Sequence, residues 1–599
     1  MRTLIKPQSY LGLVDDSKLL VKHGPLISCV DYADLGEEEM WGKLASARPL
    51  VGVLPLLLYP ATVWAAGPSR LPSTSEPGHE QPTLPSIPEG QFEFSIPTPR
   101  KSPIPKDVEN LRFPIKDIVV EGETVFGETD FDALIAPLIG QEKSLAEVMA
   151  VAEAIEAKYR DAGYLLTRAF VPPQRSKIGV FKIKVVEGFI KDIVIEGVDG
   201  DLKSRITSML AFIQSEHPIK AATVERALLL VNELPGIKAA GLLKPSNDDV
   251  GAADMMITVV PQLVEGSAGI DNRGSRYSGP WTSNADLAVN SLLGQGEQIG
   301  FGVTRSVSPY KQRGFRTHYT QPLGSDGLST QTSFDRSFAA PGWTLKESGV
   351  RTTSTNIGQR VSYPVLRSRK ENLLLDGGFT VKSAKSDVND AALSTDYWRV
   401  LDTKASWSQN GWLGGGTAAT VGMAKGVTMA GSSHKGNANL SRTNADPAFT
   451  KFTFDGKRVQ PLWSEWSLLF GVAGQYASNK LLAAEEFTLG GSQFGRGYDP
   501  SALTGDHGVA GTLEVHYDTE TGLPVAETAQ VYSFYDQGAV WNRDHVETGY
   551  RLSSIGVGMK TTLNQGVTVG MEYAHGLHGP DSTVSADPGR LYFSLQGRF

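Results

Sequence analysis

The residues Leu489-Gly-Gly-Ser-Gln-Phe-Gly-Arg-Gly-Tyr-Asp-Pro500 carry the sharpest chemical signal in the chain. Glycines at 490, 491, 495 and 497 allow tight or left-handed backbone, and Pro500 stiffens the exit. The segment therefore reads as a shaped loop presenting one arginine, Arg496, and one aromatic, Tyr498. A guanidinium fork can grip a carboxylate through two bonds, whereas the same side chain in a solvated turn contributes almost nothing. Taken alone, the loop leaves both readings open.

Other strings that resemble reactive sites are weaker. Gly294-Gln-Gly-Glu-Gln-Ile-Gly-Phe-Gly302 is glycine-rich but lies between alternating strands and opens no helix, which argues against a phosphate or dinucleotide loop. The ten histidines show no metal-ligand spacing. Asp506 and His507 follow Ser501 in a polar loop, and proximity there does not make a triad. No nucleoside-triphosphate site is visible, so the chain is read as a non-enzyme without cofactor or metal.

The loop must be held by a larger frame, and an internal repeat shows where that frame begins. Ile115-Lys-Asp-Ile-Val-Val-Glu-Gly122 returns 75 residues later as Ile190-Lys-Asp-Ile-Val-Ile-Glu-Gly197, the mark of a tandem small domain. In the first unit a strand from Ile115 to Glu121 is followed by helical spacing over 129–138. Ser144 and Glu147 form a capping box for a second helix, whose face is Leu145, Val148, Ala152, Ile155 and Tyr159 and which Gly163 ends. Strands over 164–171 and 180–186 complete a β-α-α-β-β order. The second unit repeats it: strand 191–196, helices near 202–213 and 223–234, strands 237–243 and 254–260.

Beyond the repeat, period-two alternation runs to the C-terminus. Ile555, Val557, Met559 and Leu563 are apolar on one side with Lys560 on the other. After a turn at Asn564-Gln565-Gly566, Val567, Val569, Met571 and Tyr573 repeat the pattern, with Glu572 on the opposite face. Leu591, Phe593, Leu595 and Phe599 continue it. This alternation implies a membrane β-barrel with lipid-facing apolar residues and a polar lumen, and at roughly 20 residues per strand and connection it predicts about sixteen strands. Mean hydropathy of −0.18 and 40% hydrophobic residues fit such a wall. Net charge of −8 with no Lys/Arg block excludes a nucleic-acid partner.

Upstream, residues 47–66 form a stretch of signal-peptide length whose apolar core follows Lys43 and Arg48, and Val63-Trp64-Ala65 suits cleavage after Ala65. A start at Met40 would give an ordinary signal peptide. The single cysteine, Cys29, precedes the stretch, so the mature chain has no thiol. Ten prolines between Pro68 and Pro105, with no proline-free gap above eight residues, leave no room for an ordinary helix and define an extended linker. The expected division is 1–65 signal region, 66–112 linker, 113–189 and 190–262 α/β domains, and 263–599 barrel.

Tyr159-Arg-Asp-Ala-Gly-Tyr164, Ala169-Phe-Val-Pro-Pro173, Val185-Val-Glu-Gly188 and Glu225-Arg-Ala-Leu-Leu-Leu-Val-Asn-Glu-Leu-Pro-Gly236 together resemble the two POTRA domains of ShlB/FhaC/HecB-type (TpsB) two-partner secretion transporters. The resemblance runs from about Phe113 to Phe599. It implies a sixteen-stranded barrel and makes Arg496-Gly497-Tyr498 the tip of a sixth extracellular loop folded into the lumen. Phe534-Tyr-Asp-Gln-Gly538 matches its counterpart, so Arg496 is expected to pair with Asp536, with Gly490, Gly491 and Gly495 shaping the loop. The glycine-rich string then becomes an early barrel hairpin with Asn290, Gly294 and Gly296 at its turn.

By the same resemblance the chain secretes a large exoprotein of the haemolysin, adhesin or haemagglutinin type across the outer membrane of a Gram-negative bacterium, with its POTRA domains in the periplasm. The barrel is surrounded by lipid, and Phe599 resembles the terminal signal read by the barrel-assembly machinery. Strands 164–171 and 237–243 are candidate docking edges for the cargo. The alternative is a BamA-like assembly factor. One departure stands out: relatives commonly plug the pore with an N-terminal helix, and the prolines leave no space for one, so closure falls to the inward loop alone or to a non-helical plug.

Overall fold

The computed structural model describes residues 71–76, 81–87, 94–95, 112–174, 179–246, 249–307, 311–429, 431–563, 566–579 and 589–599. The stretch expected to be a signal region, Met40 and Cys29 included, and most of the expected linker lie outside the described residues.

The first α/β unit comprises β1 (Asp117–Glu121), a short helical turn over 128–138, α1 (Leu145–Asp161), β2 (Arg168–Phe170) and β3 (Val180–Val186). The sheet order is β1-β3-β2, with β1 parallel and β2 antiparallel to β3. At the start of α1 the Glu147 carboxylate accepts the Ser144 amide at 2.8 Å, and the Ser144 hydroxyl accepts the Glu147 amide at 3.3 Å. The Ser144 amide, followed by Lys143, holds the Glu147 carboxyl down to about 2. Val148, Ala152, Ile155 and Tyr159 are buried on one face against Phe181, Ile183 and Val185. The strand expected over 164–171 contracts to Arg168–Phe170, because the chain leaving α1 is spent on a turn: Tyr164 N bonds Tyr159 O and Thr167 N bonds Tyr164 O.

Two of the quoted strings meet inside this unit. The Tyr159 hydroxyl donates to Glu187 Oε1 at 2.7 Å, and the same carboxylate accepts the amides of Thr124 (2.7 Å) and Val125 (3.0 Å) and the Thr124 hydroxyl. Glu187 thereby ties the loop after β1 to the end of α1. Burial works to raise its carboxyl, but the bonds from Thr124, Tyr159 and Val125 outweigh it and the net shift is downward. Burial and this carboxylate push the Tyr159 hydroxyl far up.

The second unit comprises β4 (Phe189–Glu196), α2 (Gly200–Ser215), α3 (Ala221–Asn232), β5 (Ile237–Pro245) and β6 (Ala252–Pro261). β4 runs parallel to β6 and β5 antiparallel, and Phe94–Ser95 of the linker adds a short parallel strand outside β5, opposite Gly241 and Leu242. The edge read as open over 237–243 is thus already paired at those two residues. The repeated octapeptide ends in equivalent glycines: φ is +95° at Gly122 and +93° at Gly197, and a Cβ would lie 2.4 Å from Val185 O and 2.0 Å from Val259 O respectively. Neither position has room for a side chain.

From Val264–Asp271 to Arg590–Arg598, sixteen antiparallel strands close into a barrel; the last strand pairs with the first from Ser267↔Arg598 to Asp271↔Ser594. Ile555, Val557 and Met559 are 47%, 56% and 49% exposed, while Glu572 on the inner register is 2% exposed. This is the wall the alternation predicts. The hairpin at 291–297 has Gly294 and Gly296 at positive φ, and the buried Glu297 carboxylate accepts the amides of Leu293 and Gln295. The second α/β unit docks on this end of the barrel: Arg205 donates to Pro322 O (2.6 Å) and Gly324 O (2.9 Å), and Arg226 to Pro364 O (3.0 Å). The sixth connection at the opposite end, residues 478–506, is long and turns inward.

Candidate functional site

Glycine geometry folds the 478–506 loop into the lumen. Gly490, Gly491 and Gly495 have φ of +97°, +101° and +79°, and Gly490 N bonds Phe494 O while Tyr498 N bonds Gly495 O, forming a compact knot. Gly497 contributes closeness rather than unusual φ: a Cβ there would lie 2.6 Å from Gly576 N. Tyr498 is buried at 2% exposure, its ring against Gly576 and Gly579 of the wall.

The knot delivers Arg496 to Asp536 on strand Ala526–Asn542. Nε and Nη2 reach Oδ2 and Oδ1 at 3.0 and 2.8 Å, a two-pronged grip, and the amides of Arg496 (3.1 Å) and Gly495 (3.2 Å) also donate to Asp536 Oδ2. Thr512 (2.8 Å) and Ser554 (3.1 Å) complete the shell of that carboxylate. Arg496 Nη2 also lies 2.9 Å from Glu514 and Nη1 3.5 Å from Glu572. Its guanidinium stacks on the Phe534 ring with Cζ 3.4 Å from the centroid. Space for the inward rings of Tyr532 and Phe534 comes from Gly558 and Gly556 on the next strand.

One arginine thus faces three carboxylates, and the remaining charge has partners. Glu572 receives Arg273 (3.0 Å) and the Tyr532 hydroxyl (2.8 Å), and Glu514 receives His516 (2.7 Å). Both Arg496 and Asp536 are almost fully buried, which is where a charge pair fixes geometry most firmly. Asp499, next to the tip, is held by Arg276 and by Arg590 at 2.6 Å.

A second set of contacts grips the loop near its base. Glu485 accepts Lys382 (2.9 Å), Lys451 (2.7 Å) and the Trp398 indole (2.8 Å), and Arg442 of the 427–449 connection reaches Asp506 and Glu486. Asp506 also accepts the amides of Leu481 and Arg543, while His507 Nδ1 accepts the Ala477 amide. These partners organise the loop and form no relay with Ser501, whose carbonyl accepts the Ser73 hydroxyl.

That last bond belongs to a strap, described over residues 71–76 and 81–87. Leu71 is buried among Tyr277, Leu345 and Val350 of the outer connections. Gln81 lies over Gly491, Leu84 packs with Phe487 and Leu489, and Ile87 reaches Gly416 at the inner end of its strand. A Cβ at lumen-facing Gly471 or Gly416 would come within 2.8 Å of Leu84 or 3.0 Å of Ile87. The described residues thus mark points from the outer connections, at Leu71, to the inner strand ends, at Ile87. The inward loop therefore shares the lumen with a segment whose described residues carry a single 3-10 turn, Ser73–Ser75, and no α-helix. The sequence left room for a non-helical plug without tracing this path, and it did not single out Glu514, Arg273 or Arg442. Glu572 was placed on the lumen side but not joined to the loop.

Fold and site together define an outer-membrane transporter: a closed barrel with two POTRA-type domains at one mouth and an arginine loop anchored in its lumen. Residues 254–561 match the family described as haemolysin secretion/activation protein ShlB/FhaC/HecB, and residues 113–188 match the ShlB-type POTRA domain. The chain belongs to this ShlB/FhaC/HecB family of two-partner secretion transporters. The heme/hemopexin transporter protein HuxB of Haemophilus influenzae strain 86-028NP is 23% identical over 75% of this chain and 81% of its own length. The outer membrane transporter CdiB of Escherichia coli O6:K15:H31 is 24% identical over 75% and 76%. The hemolysin transporter protein HpmB of Proteus mirabilis is 24% identical over 66% and 70%. Among solved structures, CdiB from Escherichia coli superposes with a TM-score of 0.66 at 23% identity, covering 84% of this chain and 93% of that one. CdiB from Acinetobacter baumannii gives 0.60 at 17% identity, covering 88% and 95%.

Proposed function

We propose that this transporter recognises an unfolded exoprotein of the haemolysin or adhesin type in the periplasm and passes it through the barrel to the cell surface, with Arg496 as the lock on the inner loop. The carrying observation is that two separate segments, the 478–506 loop and the 71–87 strap, occupy a lumen wide enough for an extended polypeptide, and neither is part of the wall. Displacing both opens a path without breaking a barrel strand. HpmB, named a hemolysin transporter, is a relative that supports this cargo class.

Recognition by β-augmentation fits the first α/β unit, where β2 is an edge strand of its sheet. Use of β5 would require Phe94–Ser95 to leave Gly241 and Leu242. Folding of the cargo outside the cell supplies direction, and Phe599, 72% exposed and paired through its backbone with Gly266, serves the assembly machinery during biogenesis. The test is co-expression with a large exoprotein encoded beside this gene, followed by assay of the medium for wild type and Arg496→Ala. Secretion by wild type and its loss in a variant that remains heat-modifiable in the outer membrane supports the reading. Retention of the exoprotein in both, with depletion of other outer-membrane proteins when this one is removed, supports an assembly factor instead.

A further inference from the structure

Between the second α/β unit and the barrel mouth lies a cavity of about 350 Å³ whose walls include no residue of the inner loop or of the described strap. Pro322, Pro364 and Leu374 form its barrel side, Leu328 its rim, and Leu230 and Leu234 its domain side. Pro322, Pro364 and Leu374 belong to the inner register: Arg360, four positions before Pro364 on the same strand, bonds Asp402 across the lumen wall, and Pro364 pairs with Leu374, while Leu366 and Leu373, paired beyond the bulge, add outer-register leucines at the strand ends. Its inner-register wall therefore faces the pore.

Its chemistry differs from that of the lumen above. That wall carries ion pairs such as Arg316–Asp286 and Arg360–Asp402. At the mouth, Leu374 faces inward yet is 36% exposed. Most of the nearby polar groups are already used: Arg205, through its two terminal nitrogens, and Arg226 donate to the carbonyls of Pro322, Gly324, Pro364 and Val365, Arg367 pairs with Glu233, and only Nε of Arg205 is left without a partner among these guanidinium contacts. These same bonds fix the domain on the barrel, so the recess is preformed. Gly327 sits between Pro364 and Leu230, where a Cβ would lie 2.6 and 2.7 Å from them. What remains is a shaped apolar surface at the threshold of a polar pore, continuous with the docked domain.

We propose that this recess is an entry site of the pore, receiving apolar side chains of an extended, unfolded polypeptide as it leaves the second α/β unit. The inference rests on the transport reading above. An extended chain presents alternate side chains on one side, so a segment with apolar residues at every second position seats them in the recess and leaves its polar residues and backbone in water. The site thus selects for alternating sequence.

The test places the photo-crosslinker p-benzoylphenylalanine at Ser329, on the rim of the recess, or at Ser333, four residues further up the same inner face, in the full chain in liposomes. Two fluorescent peptides of about 20 residues are the probes, one alternating valine and threonine, the other serine and glycine. At Ser329 the valine/threonine peptide is expected to label about tenfold more than the other, from burial of apolar side chains. Leu374→Asn should bring it down to the serine/glycine level, while labelling at Ser333 does not change. Leu328→Asn repeats the test from the rim, and heat-modifiability confirms that each variant is folded. Equal labelling by both peptides at Ser329, or labelling unaffected by both substitutions, overturns the entry site while labelling at Ser333 leaves transport standing. Absence of labelling at either position removes both readings.

Discussion

Arg442 donates through Nη1 to the carboxylate of Asp506 and holds Nη2 3.2 Å from Glu486, so one guanidinium ties the end of the inward loop to a residue near its start. Arg442 is 4% exposed at its side chain, and it also donates to Leu481 O and Asn542 Oδ1, each at 2.8 Å. The loop therefore has a clamp at its base as well as a lock at its tip. Arg442→Gln leaves buried carboxylates without their cation, at a cost of about 3–5 kcal/mol. The expected result is faster protease cleavage within 478–506 while the barrel stays heat-modifiable. Cleavage at the wild-type rate would show that the tip alone holds the loop.

Arg496→Ala removes the cation facing Asp536, Glu514 and Glu572. The expected loss is again about 3–5 kcal/mol of loop anchoring. Arg496→Lys should restore little of it, because a single ammonium cannot reproduce the two-pronged grip on Asp536 and the stacking on Phe534. Accessibility of a cysteine introduced at Gln493 to a membrane-impermeant thiol reagent reports loop release. Lysine behaving like arginine would reduce the lock to simple charge neutralisation.

Deleting residues 66–112 removes the strap and should raise single-channel conductance in planar bilayers several-fold, with the loop still in place. Gly471→Phe offers a gentler version, since even a Cβ there comes within 2.8 Å of Leu84. Conductance unchanged in both variants would mean that the loop alone closes the pore.

Glu187 supplies the pH dependence. Its folded-state carboxyl lies below the ordinary range, so its contribution is fully present above about pH 4.5 and is lost as pH falls through the folded value. Protection factors of amides over 117–186, with the intrinsic exchange rate divided out, should fall between pH 5 and about pH 3 in wild type. In Glu187→Gln, exchange should already be faster at pH 7, by the equivalent of about 1–2 kcal/mol, and should depend less on pH. An identical pH profile in the two proteins would place the sensitivity elsewhere.

The wall and the α/β units were legible because their hydrophobic periods are strong: Ile555 to Met559 face out and Val148 to Tyr159 face in. Arg496 and Asp536 could be joined only through family resemblance, since 40 residues separate them and no local period connects a loop to a strand. Glu514 shares an inner register with Thr512, so alternation could have placed it in the lumen without naming its partner. Arg442 lies in an irregular connection with no pattern to read. The strap was hidden for a different reason: prolines exclude a helix but say nothing about where an extended chain goes. Leu71, Leu84 and Ile87, spaced apolar residues in the first part of the linker, were the available signal.

The absence of any helix over residues 81–87 of the strap changes how the pore can be cleared. A helical stopper is a cooperative rod, stiffened along its length by its own hydrogen bonds, and must tilt or leave whole. An extended segment without such a ladder can slide out like thread from a needle, exchanging the contacts at Ile87, Leu84 and Gln81 one after another. Withdrawal then proceeds through many small barriers instead of one large one, and an incoming chain can advance into each position as it is vacated.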